Sequence, residues 1–125
     1  MRIVLCYGIF DKPLESYAKY FHEARLQGDV VYVVVIRDRI VVDAHDQLPR
    51  MGERQRLDRI QAHPLVHRAY LAHPEEPLRT IEVIRPHVCL LAEERHGLPH
   101  ALEAELIRRG LFLSVQSVAH SLPTR

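Results

Sequence analysis

The sequence predicts one α/β domain built on a five-stranded parallel sheet. Three observations carry this prediction: apolar runs alternate with helical patterns along all 125 residues, the connections between them are short, and one apolar run is continuous. That run, Val30 to Ile36, consists almost wholly of β-branched residues. Continuous apolarity indicates burial on both faces, which is typical of a central strand in a parallel sheet.

The first third of the chain predicts a strand, a helix and the central strand. Arg2 to Tyr7 is a short apolar run that Gly8 closes. Asp11 is the predicted N-cap of the following helix, Pro13 falls in its first turn and Gly28 ends it. The apolar residues at helical spacing are Leu14, Tyr17, Ala18, Phe21 and Ala24.

The rest of the chain continues the alternation after one polar stretch. Residues 37–52 contain Pro49 and Gly52 among several charges, and we interpret them mainly as a loop. The elements predicted after it are a helix over Glu53 to Ala62, a strand over Val66 to Ala72, a helix over Leu78 to Ile84, a strand over His87 to Leu91, a helix over Ala101 to Arg109 and a strand over Leu111 to Val115. Strands that alternate with helices in this way predict parallel pairing with right-handed crossovers.

Composition and charge exclude several classes of protein. Seventeen Lys and Arg side chains against 16 Asp and Glu give a formal net charge of +1, so no strong field attracts nucleic acid or a membrane surface. No stretch reaches the roughly 18 apolar residues of a membrane span, and the apolar start of the chain is too short for a secretory signal. We therefore expect a cytoplasmic protein. Cys6 and Cys89 are interpreted as buried reduced thiols, with a disulfide or redox pair as the alternative.

The expected position of a ligand follows from the fold class. Parallel sheets bind ligands at the carboxyl ends of their strands, near the point where the strand order reverses. Four connections lie at that edge: Gly8 to Leu14, Arg37 to Gly52, Ala92 to Pro99, and the tail after Val115. We expect the functional site to be built from these four segments.

Three short motifs resemble those of one enzyme superfamily. Gly8 to Asp11 forms a Gly-x-Phe-Asp turn after the first strand, Gly28-Asp29 precedes the second strand, and Glu53-Arg54 opens the helix after the second loop. On these residues the chain resembles the cytidylyltransferase-like nucleotidyltransferases, such as the glycerol-3-phosphate cytidylyltransferases, from Arg2 to about Ser121. The resemblance implies a single three-layer Rossmann-like nucleotidyltransferase domain over residues 1–125, CTP or ATP as the nucleotide, a phosphorylated acceptor, Mg²⁺ in an active member, and homodimers.

The next motif of the superfamily is His-x-Gly-His, whose histidines donate hydrogen bonds to the nucleotide phosphates. An ungapped count places Leu14, Ser16 and Tyr17 at its three defined positions. Leucine has no donor, tyrosine offers one hydroxyl that cannot become cationic, and serine adds a side chain where glycine allows close approach. Because the loss of one preorganised donor costs about 3–4 kcal/mol in a transition state, this sequence predicts weak or absent transfer.

Other motif positions depart from the superfamily as well. Ala44 and Asp46 stand near its lysines in the second loop, and Val115 stands near its arginine before the last turn. Ala92 to Arg95 replace a Gly-x-Asp-Trp-like turn. Several contacts to phosphate are lost together, which favours a relaxed or redirected function.

The candidate site residues combine the resemblance with the cations that remain near these loops. The candidates for catalysis are Lys12, Tyr17 and Arg54. The candidates for nucleotide binding are Gly8, Ile9, Phe10, Asp11, Arg37, Arg95, Ser117 and His120. An ungapped count matches Gln55 to the superfamily's arginine, so the assignment of Arg54 assumes a shift of one residue.

These assignments have ordinary alternatives. Lys12 would otherwise be a solvated lysine of the first helical turn, and Arg37 and Arg39 would form surface ion pairs with Asp38 and Asp43. His120 would be an incidental histidine of a flexible tail.

The nine histidines do not predict a metal site. His63 and His67, like His96 and His100, are four residues apart, but Pro or Gly intervenes in both pairs. Neither pair has the Cys or carboxylate partners of a zinc motif, and no Gly-x-Ser-x-Gly turn predicts a serine nucleophile. We predict no metal-ligating residues in this chain.

Three functional hypotheses remain open at this point. The leading one is a diverged member that binds a nucleotide or a phosphorylated small molecule, with transferase activity reduced or absent. The first alternative is an active nucleotidyltransferase that joins CTP or ATP to a phosphorylated alcohol and releases pyrophosphate. The second alternative is a non-catalytic module for self-association or protein binding. None of the three involves nucleic acid or a membrane.

Overall fold

The computed structural model describes residues 1–92 and 98–117 and has the predicted architecture. Eleven elements follow one another along these residues: β1 Ile3–Gly8, a 3-10 turn Leu14–Tyr17, α1 Ala18–Gln27, β2 Val30–Val35, α2 Asp38–His45, α3 Glu53–Gln61, β3 Arg68–Leu71, α4 Leu78–Ile84, β4 Val88–Leu91, α5 Leu98–Arg108 and β5 Ser114–Ser117. The strands form one parallel sheet in the order β3-β2-β1-β4-β5. The predicted α/β fold with a five-stranded parallel sheet is therefore confirmed.

Two apolar cores cover the two faces of this sheet. Because neighbouring residues of a strand point to opposite faces, Val4 and Cys6 of β1 belong to one core and Leu5 to the other. Val33 and Val34 of β2 divide in the same way. Burial on both faces explains why the central strands read as continuous apolar runs. No helix among the described residues is long and apolar enough to span a bilayer.

The segment after β2 corrects the sequence prediction. Residues 37–52, predicted mainly as a loop, contain the helix α2 over Asp38–His45. Val41 of this helix is 5% exposed and packs inward. The prediction overlooked a short amphipathic pattern because charged residues surround it. The residue after the helix, Asp46, has the left-handed backbone conformation with φ of 57°, which Asp tolerates better than most residues.

Smaller corrections concern the helix starts and the last strand. The first helical segment begins with a 3-10 turn after Pro13, which makes no side-chain cap, so the prediction of Asp11 as N-cap is wrong. α5 starts at Leu98 rather than Ala101, and β5 begins at Ser114 rather than Leu111. The last shift arises because Leu111 is 4% exposed and packs in a core before the strand starts.

The two cysteines lie on opposite faces of the sheet. In the β1–β4 register Cys6 stands opposite Leu90, whereas Cys89 stands opposite Leu5, and the two thiols belong to different cores. Both are buried and free, as predicted. Burial raises the pKa of the Cys6 thiol to about 12, although a hydrogen bond with Tyr20 lowers it in part, and burial also raises the pKa of Cys89 far above its usual value.

Gly28 is required by a close approach of chain segments rather than by its backbone angles. A Cβ at this position would lie 2.6 Å from Val4 Cγ2 and 2.8 Å from the carbonyl oxygen of Arg2. The same carbonyl accepts hydrogen bonds from the amides of Asp29 and Val30, at 2.8 and 3.2 Å. Gly28 therefore lets the start of β2 pair with the residue before β1.

We predict that neither thiol reacts with Ellman's reagent in the folded protein. Both thiols are buried and protonated, and the thiolate is the reactive form. In 6 M guanidinium chloride both should react rapidly, which provides the control for intact thiols. Rapid reaction of either cysteine with the reagent under native conditions would contradict the burial of the thiols.

We predict that Gly28→Ala lowers the free energy of unfolding by about 1–3 kcal/mol, the usual cost of an overpacked site. Leu26→Ala, at a residue of the preceding helix α1 that is 69% exposed, should change it by no more than about 0.5 kcal/mol. Urea unfolding followed by circular dichroism measures both. Equal stability of the two variants would show that the Arg2 carbonyl moves aside at little cost.

Candidate functional site

The strand order reverses beside β1, at the sheet edge where the chain leaves β1 and β4. β1 pairs with β2 on one side and with β4 on the other, and the Gly8–Asp11 turn follows directly. Phe10 in this turn has a φ of 59°, a conformation that costs an L-residue about 1–2 kcal/mol. Its ring is fully buried and lies 5.2 Å from the ring of Tyr17 and 5.9 Å from that of Phe21. This aromatic packing stabilises the strained turn.

Arg56 of α3 is a fully buried guanidinium that joins the segments of this edge. Its Nη1 donates to the carbonyl oxygens of Ile9 at 2.6 Å and Ile36 at 2.9 Å, and its Nε donates to that of Met51 at 3.0 Å. Its Nη2 pairs with Asp38 Oδ1 at 2.5 Å. A buried charge is tolerated only with partners of this kind, and here they come from the ends of β1 and β2, from α2 and from the connection before α3.

A second arginine of α3 secures the next carbonyl of the turn. Arg59, one helical turn after Arg56, donates from Nη2 to the carbonyl oxygen of Phe10 at 2.5 Å. Two consecutive carbonyls after β1, those of Ile9 and Phe10, are therefore bound by α3. The backbone of the Gly-x-Phe-Asp turn is held from the side of α3.

The starts of α2 and α3 cap each other. The amide of Asp38 donates to Glu53 Oε1 at 2.9 Å, and the amide of Glu53 donates to Asp38 Oδ2 at 3.2 Å. Carboxylates at helix N-termini satisfy amides that have no partner within the helix. Arg37 joins this pair by an ion pair with Glu53 at 3.2 Å and by donating to the carbonyl oxygen of Ala72 at 2.6 Å.

Asp11 ties the turn after β1 to the connection between α2 and α3. Its Oδ2 accepts a hydrogen bond from the amide of Arg50 at 2.6 Å, and its Oδ1 accepts one from the amide of Met51 at 3.0 Å. Together with the bond from Arg56 to the Met51 carbonyl, these contacts position the segment 46–52 beside the turn. The aspartate of the Gly-x-Phe-Asp motif thus shapes the site rather than capping a helix.

Tyr17, at the last position of the His-x-Gly-His motif, belongs to the core. It is 1% exposed and packs in one cluster with Phe10, Tyr20 and Phe21. Its hydroxyl oxygen accepts a hydrogen bond from the amide of Lys12 at 3.2 Å. The residue that the sequence comparison placed at a phosphate-binding histidine therefore packs beneath the turn and supports it.

A cavity of about 350 Å³ opens between the turn after β1 and the segment 46–52. The residues that line it are Ile9, Asp11, Lys12, Pro13, Tyr17, Val41, Gln47, Leu48, Pro49 and Arg50. Its volume falls in the range of small-molecule sites. The side chains of Lys12 and Arg50 are exposed and make no hydrogen bond or ion pair with the described part of the chain. Two free cations thus border a largely apolar cavity.

The structure brings part of the predicted site together. Lys12 and Tyr17, with Ile9 and Asp11, line the cavity, whereas Gly8 and Phe10 are buried behind it. Arg37 lies at the same sheet edge but is paired with Glu53, not with Asp38 or Asp43 as the alternative supposed. Arg54 is exposed on α3 outside the cavity lining. Their roles in binding and catalysis stay predictions.

Three predicted residues belong to the last part of the chain. The backbone of Ser117 ends β5, while its side chain lies outside the described residues, as do Arg95 and His120. Sequence reasoning missed Arg56 and Arg59, the two arginines that hold the turn. The available signal was the interval of three residues from Glu53 to Arg56 and again from Arg56 to Arg59, which places the three side chains on one side of the helix.

The described residues offer little to a resident metal ion. They contain no group of three His, Cys, Asp or Glu side chains that could hold one. His63 Nδ1 and His67 Nδ1 accept hydrogen bonds from the amides of Leu65 and Val31. The carboxylate nearest the cavity is Asp11, both oxygens of which already accept amides. Mg²⁺ usually binds through substrate phosphates and retains several waters, so it would arrive with a nucleotide.

Comparison with known proteins gives a consistent set of relatives. The chain is 35% identical over 124 residues to the FAD synthase of Natrialba magadii, covering 99% of this chain and 82% of that protein. It is 34% identical to the FAD synthase of Halobacterium salinarum, covering 93% and 78%, and 32% identical to that of Methanosarcina acetivorans, covering 86% and 70%. No family model matches the chain.

A solved structure supports the fold independently. The lipopolysaccharide core biosynthesis protein from Thermoplasma volcanium GSS1 matches with a TM-score of 0.84, over 95% of this chain and 97% of that one. The two sequences are 24% identical. At this identity the match shows a shared fold.

We predict that Arg56→Leu lowers the free energy of unfolding by about 3–5 kcal/mol, because it leaves a carboxylate and three carbonyls without their buried partner. Arg54→Leu, two residues earlier and exposed, should change it by no more than about 0.5 kcal/mol. Chemical unfolding measures the free energy of unfolding of both variants. Because each substitution removes one positive charge, a difference between them reports the contacts of Arg56. Similar stability of the two would contradict the central role of Arg56.

Proposed function

We propose that this chain binds ATP and transfers its adenylyl group slowly to a phosphorylated flavin. The chain belongs to the family of the FAD synthases, within the cytidylyltransferase-like nucleotidyltransferases. The relatives named FAD synthase support the choice of adenine over cytosine and of a flavin over a phosphorylated alcohol. The observation in this molecule that carries the proposal is the preshaped cavity at the exit of β1, bordered by the unpaired cations Lys12 and Arg50.

The chemistry of FAD defines the reaction. FAD joins AMP to flavin mononucleotide (FMN) through two linked phosphates. A phosphate oxygen of FMN would attack the α-phosphorus of ATP and form a new P–O bond. The bond from that phosphorus to the bridging oxygen would break, and its electron pair would leave with pyrophosphate. A phosphomonoester has a second pKa of about 6, so its attacking oxygen is already deprotonated at neutral pH and no general base is required.

The protein's task in this reaction is to align two anions and to stabilise the charge that develops on the leaving group. The Gly8–Asp11 turn is held by Arg56, by Arg59 and by the aromatic cluster. It therefore offers a rigid surface at the reversal of strand order, where this fold class binds nucleotides. Lys12 follows the turn directly and contributes a positive charge.

The proposed rate is low because the two histidine donors of the superfamily are replaced. Leu14 offers no donor and Tyr17 is buried in the core, with its hydroxyl oxygen accepting the Lys12 amide. Each missing donor corresponds to about 10²- to 10³-fold in rate. Mg²⁺ bound to the triphosphate would supply charge neutralisation that these side chains do not.

A second candidate is binding of the same nucleotide without transfer. The specific observation in its favour is the position of Tyr17, which is used for packing with Phe10, Tyr20 and Phe21. In this case the protein retains a nucleotide as a ligand. Homodimer formation, expected from the superfamily, would be compatible with either candidate.

The test measures binding and turnover separately. We expect ATP with Mg²⁺ to raise the melting temperature, as any ligand of the folded state does, and CTP to raise it less. With ATP and FMN together, FAD and pyrophosphate should form in equal amounts. The rate of FAD formation, measured by chromatography, should be at least about 100-fold below that of a family member with an intact His-x-Gly-His motif.

The other outcomes separate the candidates. If ATP stabilises the protein but no FAD forms after prolonged incubation with ATP and FMN, the protein binds the nucleotide and does not transfer its adenylyl group. A rate equal to that of the intact family member would contradict the proposed effect of the lost histidines. No stabilisation by any nucleotide would contradict both candidates.

A further inference from the structure

Two histidines occupy the same place relative to two central strands of the sheet. His67 directly precedes β3 and lies beside the start of β2, while His87 directly precedes β4 and lies beside the start of β1. Because all these strands are parallel, both histidines lie at the sheet edge where the strands begin. This edge is opposite to the one that carries the candidate site.

Each of the two histidines binds both backbone groups of one residue in the neighbouring strand. The amide of His67 donates to the carbonyl oxygen of Val31 at 2.9 Å, and its ring Nδ1 accepts a hydrogen bond from the amide of Val31 at 3.0 Å. The amide of His87 donates to the carbonyl oxygen of Ile3 at 2.9 Å, and its Nδ1 accepts one from the amide of Ile3 at 2.9 Å. The two rings thus supply acceptors for amides at the starts of β2 and β1.

These bonds require a neutral ring with its proton on Nε2. A histidine nitrogen that accepts a hydrogen bond carries no proton, so Nδ1 is the basic nitrogen of each ring. A second proton would go to Nδ1 and turn the acceptor into a donor that faces another N–H group. The side chains of His67 and His87 are exposed, so this proton can reach them from water without unfolding.

Two further histidines bind amides in the same way. His63 Nδ1 accepts a hydrogen bond from the amide of Leu65 at 3.2 Å, and His73 Nδ1 accepts one from the amide of Glu76 at 3.0 Å. The ring of His63 lies 4.8 Å from that of Phe21, and burial lowers the pKa of His63 below its usual value. Four of the nine histidines in the chain are therefore backbone acceptors in their neutral form.

The charged surroundings of His67 and His87 do not favour protonation. Neither ring forms an ion pair within residues 1–92 and 98–117. The segments that meet at the two rings are 1–3, 29–31, 61–68, 85–88 and 112–114, and their titratable and charged groups are the N-terminal amine, Arg2, Asp29, His63, Arg68 and Arg85. The carboxylate of Asp29 accepts the amide of Arg2 at 2.8 Å. Most of these groups are cations, which oppose a further positive charge.

We infer that His67 and His87 make the starts of β1 and β2 acid-sensitive, because protonation of Nδ1 breaks both ring–amide bonds and releases the first residues of these strands. Free histidine side chains take up a proton near pH 6.5. Below about this pH the unfolded chain binds more protons than the folded one, so stability falls as the pH falls. The stabilisation by these two bonds is complete above this pH and is lost progressively below it.

Replacement by asparagine separates the hydrogen bond from the titration. The side-chain oxygen of asparagine accepts an amide as Nδ1 does, but asparagine does not titrate. Urea unfolding gives the folding equilibrium constant at pH 7.5 and at pH 5. Between these values, the constant of the unmodified protein should fall at least about tenfold more than that of the double variant His67→Asn, His87→Asn. Equal falls in the two proteins would overturn the inference.

His22→Asn provides the matched control. His22 is an exposed histidine of α1, and no hydrogen bond or ion pair joins it to the described part of the chain. The stability of this variant should depend on pH as that of the unmodified protein does. If His22→Asn removes as much of the pH dependence as His67→Asn or His87→Asn alone, the effect reflects the number of histidines and the inference is wrong.

A measurement on the unmodified protein keeps the inference testable if the double variant does not fold. Nitrogen NMR at pH 7.5 should find the ring proton of His67 and His87 on Nε2. Hydrogen exchange, corrected for the intrinsic effect of pH, should show the amides of Ile3 and Val31 at least about tenfold less protected at pH 5 than at pH 7.5, relative to amides in the middle of β1 and β2. A ring proton on Nδ1 at pH 7.5, or unchanged protection of both amides, would overturn the inference.

Discussion

The buried guanidinium of Arg56 is the interaction on which the arrangement of the site depends. Removing an arginine from water costs several kcal/mol, and only well-placed partners repay this cost. Arg56 finds them on four separate segments: Ile9 after β1, Ile36 after β2, Asp38 in α2 and Met51 before α3. Because one rigid planar group binds all four, none of these segments can shift alone. The shape of the cavity follows from this constraint.

The cations of the site divide into two groups that the sequence alone does not distinguish. Arg37, Arg56 and Arg59 are bound to carboxylates or carbonyls of the fold, whereas Lys12 and Arg50 are not bound by the described residues. The first group builds the walls and the second leaves charge available to a ligand. Sequence reasoning could not tell which of the nearby cations were already bound within the fold. It selected Arg54, which is exposed outside the cavity, and missed Arg56, because a shift of two residues on a helix changes the face completely.

The fold was predictable because its signals are strong and local. The continuous apolar run of β2 can only be satisfied by burial on both faces, and this fixes a parallel sheet between two layers of helices. α2 was missed because its aliphatic residues, Ile40 to Val42, span less than one helical turn and lie between charged residues. Part of its stability comes from the reciprocal bonds of Asp38 and Glu53. Such contacts join residues 15 positions apart and leave no periodic pattern in the sequence.

The aromatic cluster explains how a site can keep its shape while its chemistry changes. Phe10 needs support for its left-handed backbone, and Tyr17 gives that support by packing against its ring. A histidine at position 17 that faced a phosphate would leave this part of the turn to be ordered by the ligand. With tyrosine the turn is ordered in advance, so under the proposed function a nucleotide in its ground state would meet a formed surface. Interactions of equal strength in the ground state and the transition state lower KM without raising kcat. Under the proposed function, tyrosine at position 17 would therefore favour binding of the nucleotide over transfer of its adenylyl group.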